Sequence, residues 1–237
     1  MRAQLLLLAP LLACGSSSSS PKAPGNTAPT PADAATLADD VAALVNAADL
    51  DNTAPWVQRV TFLGWTADHR AAFRLLICAP DPLGGRGDYC DLDVCAASAS
   101  SGQDIEPPAC ESAAAFALGE PFDVAATTAA AEASLTALGP LTAGTQGALA
   151  DAGVLVEHGS VLFAAGGGPR RVIHAPNDGI EEEEMRANAS MVSTDYEGTS
   201  PDGACRVVLG RFTFLGWYEG VTGDIPRGFA VVTCDGA

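Results

Sequence analysis

The chain reads as an α+β protein, a mainly antiparallel β-sheet of hairpins with two or three helices, supported by disulfides. Three features predict this. Short apolar runs alternate with Pro- and Gly-rich turns, two stretches carry helical spacing, and six cysteines follow the amino-terminal segment as an even set. With 237 residues, 48% of them hydrophobic, the chain can bury one generous core and is not disordered as a whole. Its formal charge of -17 removes the attraction on which nonspecific nucleic-acid binding rests, so nucleic acid is not an expected partner.

The first helix is expected from Pro31 to Ala48. Thr30 and Pro31 followed by Asp33 form a start signal, and Leu37, Val41, Leu44, Val45 and Ala48 then recur at helical spacing. Runs at 57–65, 71–79 and 89–96 predict a three-stranded meander. An alanine-rich helix follows from Asp123 to Leu138, stopped by Gly139 and Pro140, with a shorter helix expected from Gln146 to Asp151. Runs at 154–157 and 160–164 flank His158-Gly159, a two-residue hairpin turn. Further strands are expected at 171–174, 205–217 and 228–234. All of this belongs to a single α+β domain over residues 31–237.

One internal repeat stands out. Thr61-Phe62-Leu63-Gly64-Trp65 recurs as Thr213-Phe214-Leu215-Gly216-Trp217, and Phe73 and Phe229 each lie five residues before a cysteine. The repeat predicts two similar hairpins, 57–79 and 205–234, with the aromatics serving as core rather than as a binding platform. Gly64 and Gly216 would allow close backbone approach. The turn Trp65-Thr66-Ala67-Asp68-His69 resembles the Trp-Ser-x-Asp-Gly turn of TolB-like β-propeller blades, departing at His69. A propeller needs about four blades or more, so this likeness implies a hairpin only. The order of hairpin, alanine-rich helix and further strands is also similar to that of uncharacterised secreted bacterial proteins, which transfers no site.

Met1 and Arg2 precede an apolar run from Leu5 to Ala13, a basic start followed by a stretch shorter than the roughly 20 residues that span a bilayer. The run ends in Leu11-Leu12-Ala13-Cys14, which resembles the lipobox of bacterial lipoproteins. The resemblance implies a signal peptide over 1–13 and a diacylglyceryl thioether and acylated amine on Cys14, with the membrane as partner. Two or more chains anchor stably where one does not. Residues 14–30, including Ser16 to Ser20, form the expected flexible tether, with a reach on the order of 25 Å. Gly15 after the lipidated position, rather than Asp, implies sorting to the outer membrane of the cell envelope.

Cys78, Cys90, Cys95, Cys110, Cys205 and Cys234 remain, formally open to many pairings, and in an exported chain an even count predicts disulfides. Cys78 and Cys90 sit symmetrically about the turn PDPLGGRG, and Cys205 and Cys234 about theirs, so each pair should face across a hairpin. Cys95 with Cys110 follows by exclusion.

Signatures of chemistry are scarce. The chain has no Gly-x-Ser-x-Gly elbow, no His-Glu-x-x-His, no Ser-x-x-Lys and no phosphate loop, and Gly166 to Arg171 reads as a connection. His69, His158 and His174 lie singly. Asp88, Asp91 and Asp93 are the candidate calcium ligands, with further acids at Asp178, Glu181 to Glu184, Asp195, Glu197 and Asp202. None matches an EF-hand loop, and solvated surface explains them more simply. Asp178 and Glu181 suit a capping box. Arg86-Gly87-Asp88 spells the integrin tripeptide without other support. The sequence thus predicts a lipid-anchored cell-envelope protein with a non-catalytic structural or binding role and no cofactor. The alternatives are an extracytoplasmic hydrolase or metal-dependent enzyme using His69, His158 or the acids, and a calcium-dependent binding protein.

Overall fold

The computed structural model describes residues 36–48, 57–79, 89–117, 122–149, 153–158, 160–164, 168–173, 189–218 and 221–235. The lipobox, the tether, Asp88 with its tripeptide, His174 and the Asp178–Glu184 run lie outside them.

Helix α1 spans Leu37–Ala48. Within the described residues it starts after Thr36; the Thr30 signal lies outside them. A capping box defines it: Asp39 N–H donates to Thr36 Oγ1 at 3.2 Å, and the Asp39 carboxylate accepts from Thr36 N–H at 2.7 Å. The hydrogen bonds from Thr36 hold the Asp39 carboxyl below the ordinary carboxylate range. Strands β1 (Val57–Trp65), β2 (Ala71–Ala79) and β3 (Tyr89–Ala97) form the expected meander. After β4 (Asp104–Ile105), β5 (Ala109–Ala117) joins β3, which the sequence reading did not foresee. Helix α2 (Val124–Ala137) is capped by the Asp123 carboxylate, which accepts from Ala126 N–H, and it ends before Gly139 at φ +79°.

Where a short helix was expected from Gln146, Thr145–Gln146 is instead strand β6, paired with β10. Gln146 and Thr145 sit opposite Gly198 and Thr199, so pairing overrides local preference. Strands β7 (Val154–Glu157), β8 (Ser160–Phe163) and β9 (Arg171–Ile173) follow, with His158 in the expected turn at φ +52°. Strand β10 (Ala189–Thr199) was not foreseen, and β11 (Cys205–Tyr218) and β12 (Val221–Cys234) extend the carboxyl-terminal hairpin beyond the expected bounds.

These strands make three sheets, ordered β1-β2-β3-β5, β12-β11-β10-β6 and β4-β9-β8-β7, antiparallel except for the β4–β9 pair. Alternation along each strand then assigns the layers. Phe73, Leu75 and Ile77 of β2 meet Val207 and Leu209 of β11 and Ala230 and Val232 of β12 between the first two sheets. On the far side of the second sheet, Val208, Phe212, Phe229 and Val231 meet Ile105, Val161, Phe163 and Ile173 of the third. On the far side of the first, Leu76, Leu92 and Val94 pack under Leu44 of α1 and Ala131 of α2. The result is four layers: helices, sheet, sheet, sheet.

Both copies of the repeated pentapeptide lie near the end of a hairpin, but their registers differ. Phe62 faces Phe73, whereas Phe214 faces Ile225. In the first copy the ladder shifts between Phe62 and Gly64, and Trp65 exchanges backbone hydrogen bonds of 2.8 Å with Thr142. A Cβ on Gly64 would lie 2.9 Å from the Thr142 carbonyl oxygen, so the close approach requires glycine there.

The disulfides join Cys78 to Cys90, Cys95 to Cys110 and Cys205 to Cys234, the pairing read from the hairpins. Each links residues directly opposed in an antiparallel ladder, with Cα atoms 4.1, 4.0 and 4.0 Å apart. They close sequence separations of 12, 15 and 29 residues. Chain-entropy arguments assign such loops roughly 3–4 kcal/mol each.

Helix α1 is fixed to the first sheet by charge as well as by Leu44. Asp40 is 1% exposed; its Oδ2 lies 2.7 Å from Arg74 Nε on β2, and its Oδ1 lies 2.8 Å from Arg59 Nη1 on β1. Asp40→Ala takes the carboxylate from two guanidinium groups, one of them buried. It should cost about 3–5 kcal/mol of folding free energy in urea unfolding.

Candidate functional site

Two turns meet at one end of the facing sheets, and they share a design. In the turn from β1 to β2, the Thr66 hydroxyl donates to Asp68 Oδ1 at 2.6 Å and accepts from Arg70 N–H at 3.0 Å. In the turn from β10 to β11, the Ser200 hydroxyl donates to Asp202 Oδ1 at 2.6 Å and accepts from Cys205 N–H at 2.9 Å. The third position after each hydroxyl residue returns its N–H to that residue's carbonyl: His69 to Thr66 and Gly203 to Ser200. Both lie in the left-handed region, His69 at φ +60° and Gly203 at φ +75°. Glycine adopts that backbone freely, whereas another residue there costs about 1–2 kcal/mol. The turn geometry therefore does not ask for histidine.

The His69 side chain bridges the two turns. Its Nε2 lies 3.7 Å from Asp202 Oδ2, and its Nδ1 lies 3.9 Å from Cys205 Sγ, the sulfur that joins Cys234. His69 and Asp202 are about half exposed, whereas Cys205 is 4% exposed. The Ser200 hydroxyl, followed by the Ala204 N–H, holds the Asp202 carboxyl below the ordinary carboxylate range. Asp68 is lowered in the same way, first by the Thr66 hydroxyl.

This brings a histidine, a carboxylate and a serine together, but in an order that does not make a hydrolytic triad. A nucleophilic serine must give its proton to the histidine. Here Ser200 is buried and its hydroxyl donates to Asp202, so His69 has no path to it. Ser200, His69 and Asp202 are thus not arranged as a triad with Ser200 as its nucleophile. His158 stands apart, exposed in the β7–β8 turn, and His174 lies outside the described residues.

Asp91 and Asp93 sit two positions apart on β3, so they share one face, and each has interaction partners. Among the described residues, no three His, Cys, Asp or Glu side chains gather as a metal site, and Asp88 lies outside them. An open groove of about 530 Å3 runs between the helices, lined by Leu37, Val41, Val45, Val124, Thr128 and Glu132. Among the described residues, no helix is long and apolar enough to cross a membrane.

The sequence reading noted His69 and Asp202 separately and missed their meeting. The available signal was the second turn, Ser200-Pro201-Asp202-Gly203, which repeats the pattern of Thr66-Ala67-Asp68-His69. No protein family, curated protein or solved structure matches the chain.

The shared turn design predicts a titration. A carboxyl whose folded pKa lies below its unfolded value adds stability above the ordinary carboxylate range and loses it as pH falls through the folded value. Ser200→Ala should move the Asp202 midpoint up toward the ordinary value in carboxyl-carbon NMR and leave Asp68 where it is. Equal movement of both would show that the turn hydrogen bond is not the cause.

Proposed function

We propose that the chain is a lipid-anchored cell-envelope protein whose β-rich domain is a structural or binding module. The observation that carries this reading is Cys14, set behind a basic start, an apolar run and the small residue Ala13. The pairing of all six other cysteines supports it, because disulfides persist where export has taken a chain out of the reducing cytosol. In this reading the Ser- and Pro-rich segment after Cys14 carries the domain off the membrane surface, and Gly15 favours the outer membrane. The domain is then retained at the envelope without a spanning helix.

The test is metabolic labelling. Bacterial cells expressing the full chain should incorporate radiolabelled palmitate into it, and Cys14→Ala should abolish the label while the protein is still made. Labelling that persists in Cys14→Ala would sink the reading.

A further inference from the structure

We propose that Cys205–Cys234 is a thiol–disulfide exchange site in which His69 receives the departing Cys205 sulfur and Asp202 orients His69. Three observations converge on it. The imidazole spans the gap between Cys205 Sγ, 3.9 Å from Nδ1, and Asp202 Oδ2, 3.7 Å from Nε2. The two cysteines differ in burial: Cys205 is buried, whereas Cys234 packs against the same core but is only half-buried, one residue before the exposed Asp235. His69 also occupies a left-handed position that the sister turn gives to Gly203, so the turn's backbone does not require the side chain that reaches Cys205.

The chemistry balances with an external dithiol as reductant. Its thiolate attacks Cys234 Sγ, the Cys205–Cys234 bond breaks, and the electron pair leaves on Cys205 Sγ. Protonated His69 donates from Nδ1 to that sulfur, as an imidazolium beside a thiol favours the thiolate and so the leaving group. The second thiol of the reagent then attacks its own sulfur in the mixed disulfide and releases Cys234. The protein disulfide becomes two thiols, and the dithiol becomes a disulfide. In the reverse direction Cys205 is the attacking thiolate.

His69 touches a reacting atom and is the catalytic residue of this exchange; Asp202 is a positioning residue. Asp68 and Arg70 are the charged groups beside the imidazole on its own turn, and Asp235, whose N–H donates to the Ala204 carbonyl, follows Cys234 in the chain. Asp68 and Arg70 are paired to each other at 2.8 Å. Asp202 is held by Ser200 and Ala204.

The test uses the oxidised full-length chain with limiting dithiothreitol, quenched by alkylation, with each disulfide followed by peptide mass mapping. In the parent protein, the opening rate of Cys205–Cys234 relative to Cys95–Cys110 should rise as the pH is lowered, because the step draws on a proton carried by His69. A ratio independent of pH would overturn the proposal without any variant. His69→Gly installs the residue used by the sister turn, so the variant should melt at or above the parent temperature. Its Cys205–Cys234 opening should nevertheless slow about tenfold, with the other two disulfides unchanged. Asp202→Asn should give a smaller slowing and flatten the pH dependence. A rate in His69→Gly equal to or above that of the parent would show that the histidine plays no part.

Discussion

Strands apolar on both faces must be covered twice, and that constraint organises the whole domain. All residues from Ala71 to Cys78 of β2 are buried, as are Val207 to Gly210 of β11 and Pro226 to Val232 of β12. A sheet with one wet face would alternate apolar with polar residues, as antiparallel sheets commonly do. Here the first sheet spends one face on the second sheet and the other on the helices, and the second sheet needs the third. The helices are therefore covers, which accounts for the character of α2. Its sequence is almost all Ala, Thr and Ser, and only Thr127 and Ala131 are buried. Small side chains let it lie close over the strands while adding little apolar area of their own.

The edges of the sandwich are sealed by polar contacts and by aromatic rings that extend the inter-sheet core. Trp65 is 1% exposed, and its backbone is paired with Thr142, in the strap that follows α2. The same strap then enters the second sheet as β6. One short segment thus ties the two sheets at the end where β1 stops. Nearby, Phe62 stacks on Tyr196 with ring centroids 4.3 Å apart. Burial pushes the Tyr196 hydroxyl up to about 12. Arg211 forks onto Asp195 with two bonds of 2.7 Å and reaches the Gln58 carbonyl at 2.8 Å, crossing from one sheet to the other.

The same logic explains what could be read from the sequence. Apolar runs at β2, β11 and β12 announce themselves, because double burial leaves few polar positions, the buried Arg74 and Arg227 among them, to confuse the pattern. Strand β5, with five alanines in nine residues, has the composition of a helix and becomes a strand only by pairing with β3. Strand β10 carries polar residues whose partners lie elsewhere in the chain, such as Glu197 with Arg206 and Asp195 with Arg211. The repeated pentapeptide was legible as strand but not as register, since the first copy bends at Gly64 against Thr142 while the second runs on to Tyr218. His69 and Cys205 stand 136 positions apart, and only the stacking of two sheets brings their turns together. No local pattern encodes that distance. What was local was the turn motif itself, whose aspartate and hydroxyl set both loops.

The disulfides were legible for the opposite reason: each joins strands adjacent in one sheet, so turn symmetry alone was enough to pair them. None links one sheet to another. The layers are held to each other by apolar contact, by the Trp65 strap and by the Asp40 and Arg211 contacts, and the covalent bonds only pin registers already set by hydrogen bonds. Cys205–Cys234 closes a ladder that runs from that pair to Tyr218 opposite Val221 without a break. Opening it would remove a constraint on the unfolded chain more than a contact in the folded one. Cys205 belongs to the inter-sheet core with Val207, Leu209, Ala230 and Val232, and Cys234 packs against it, so this terminal pair joins the core as well as the ladder.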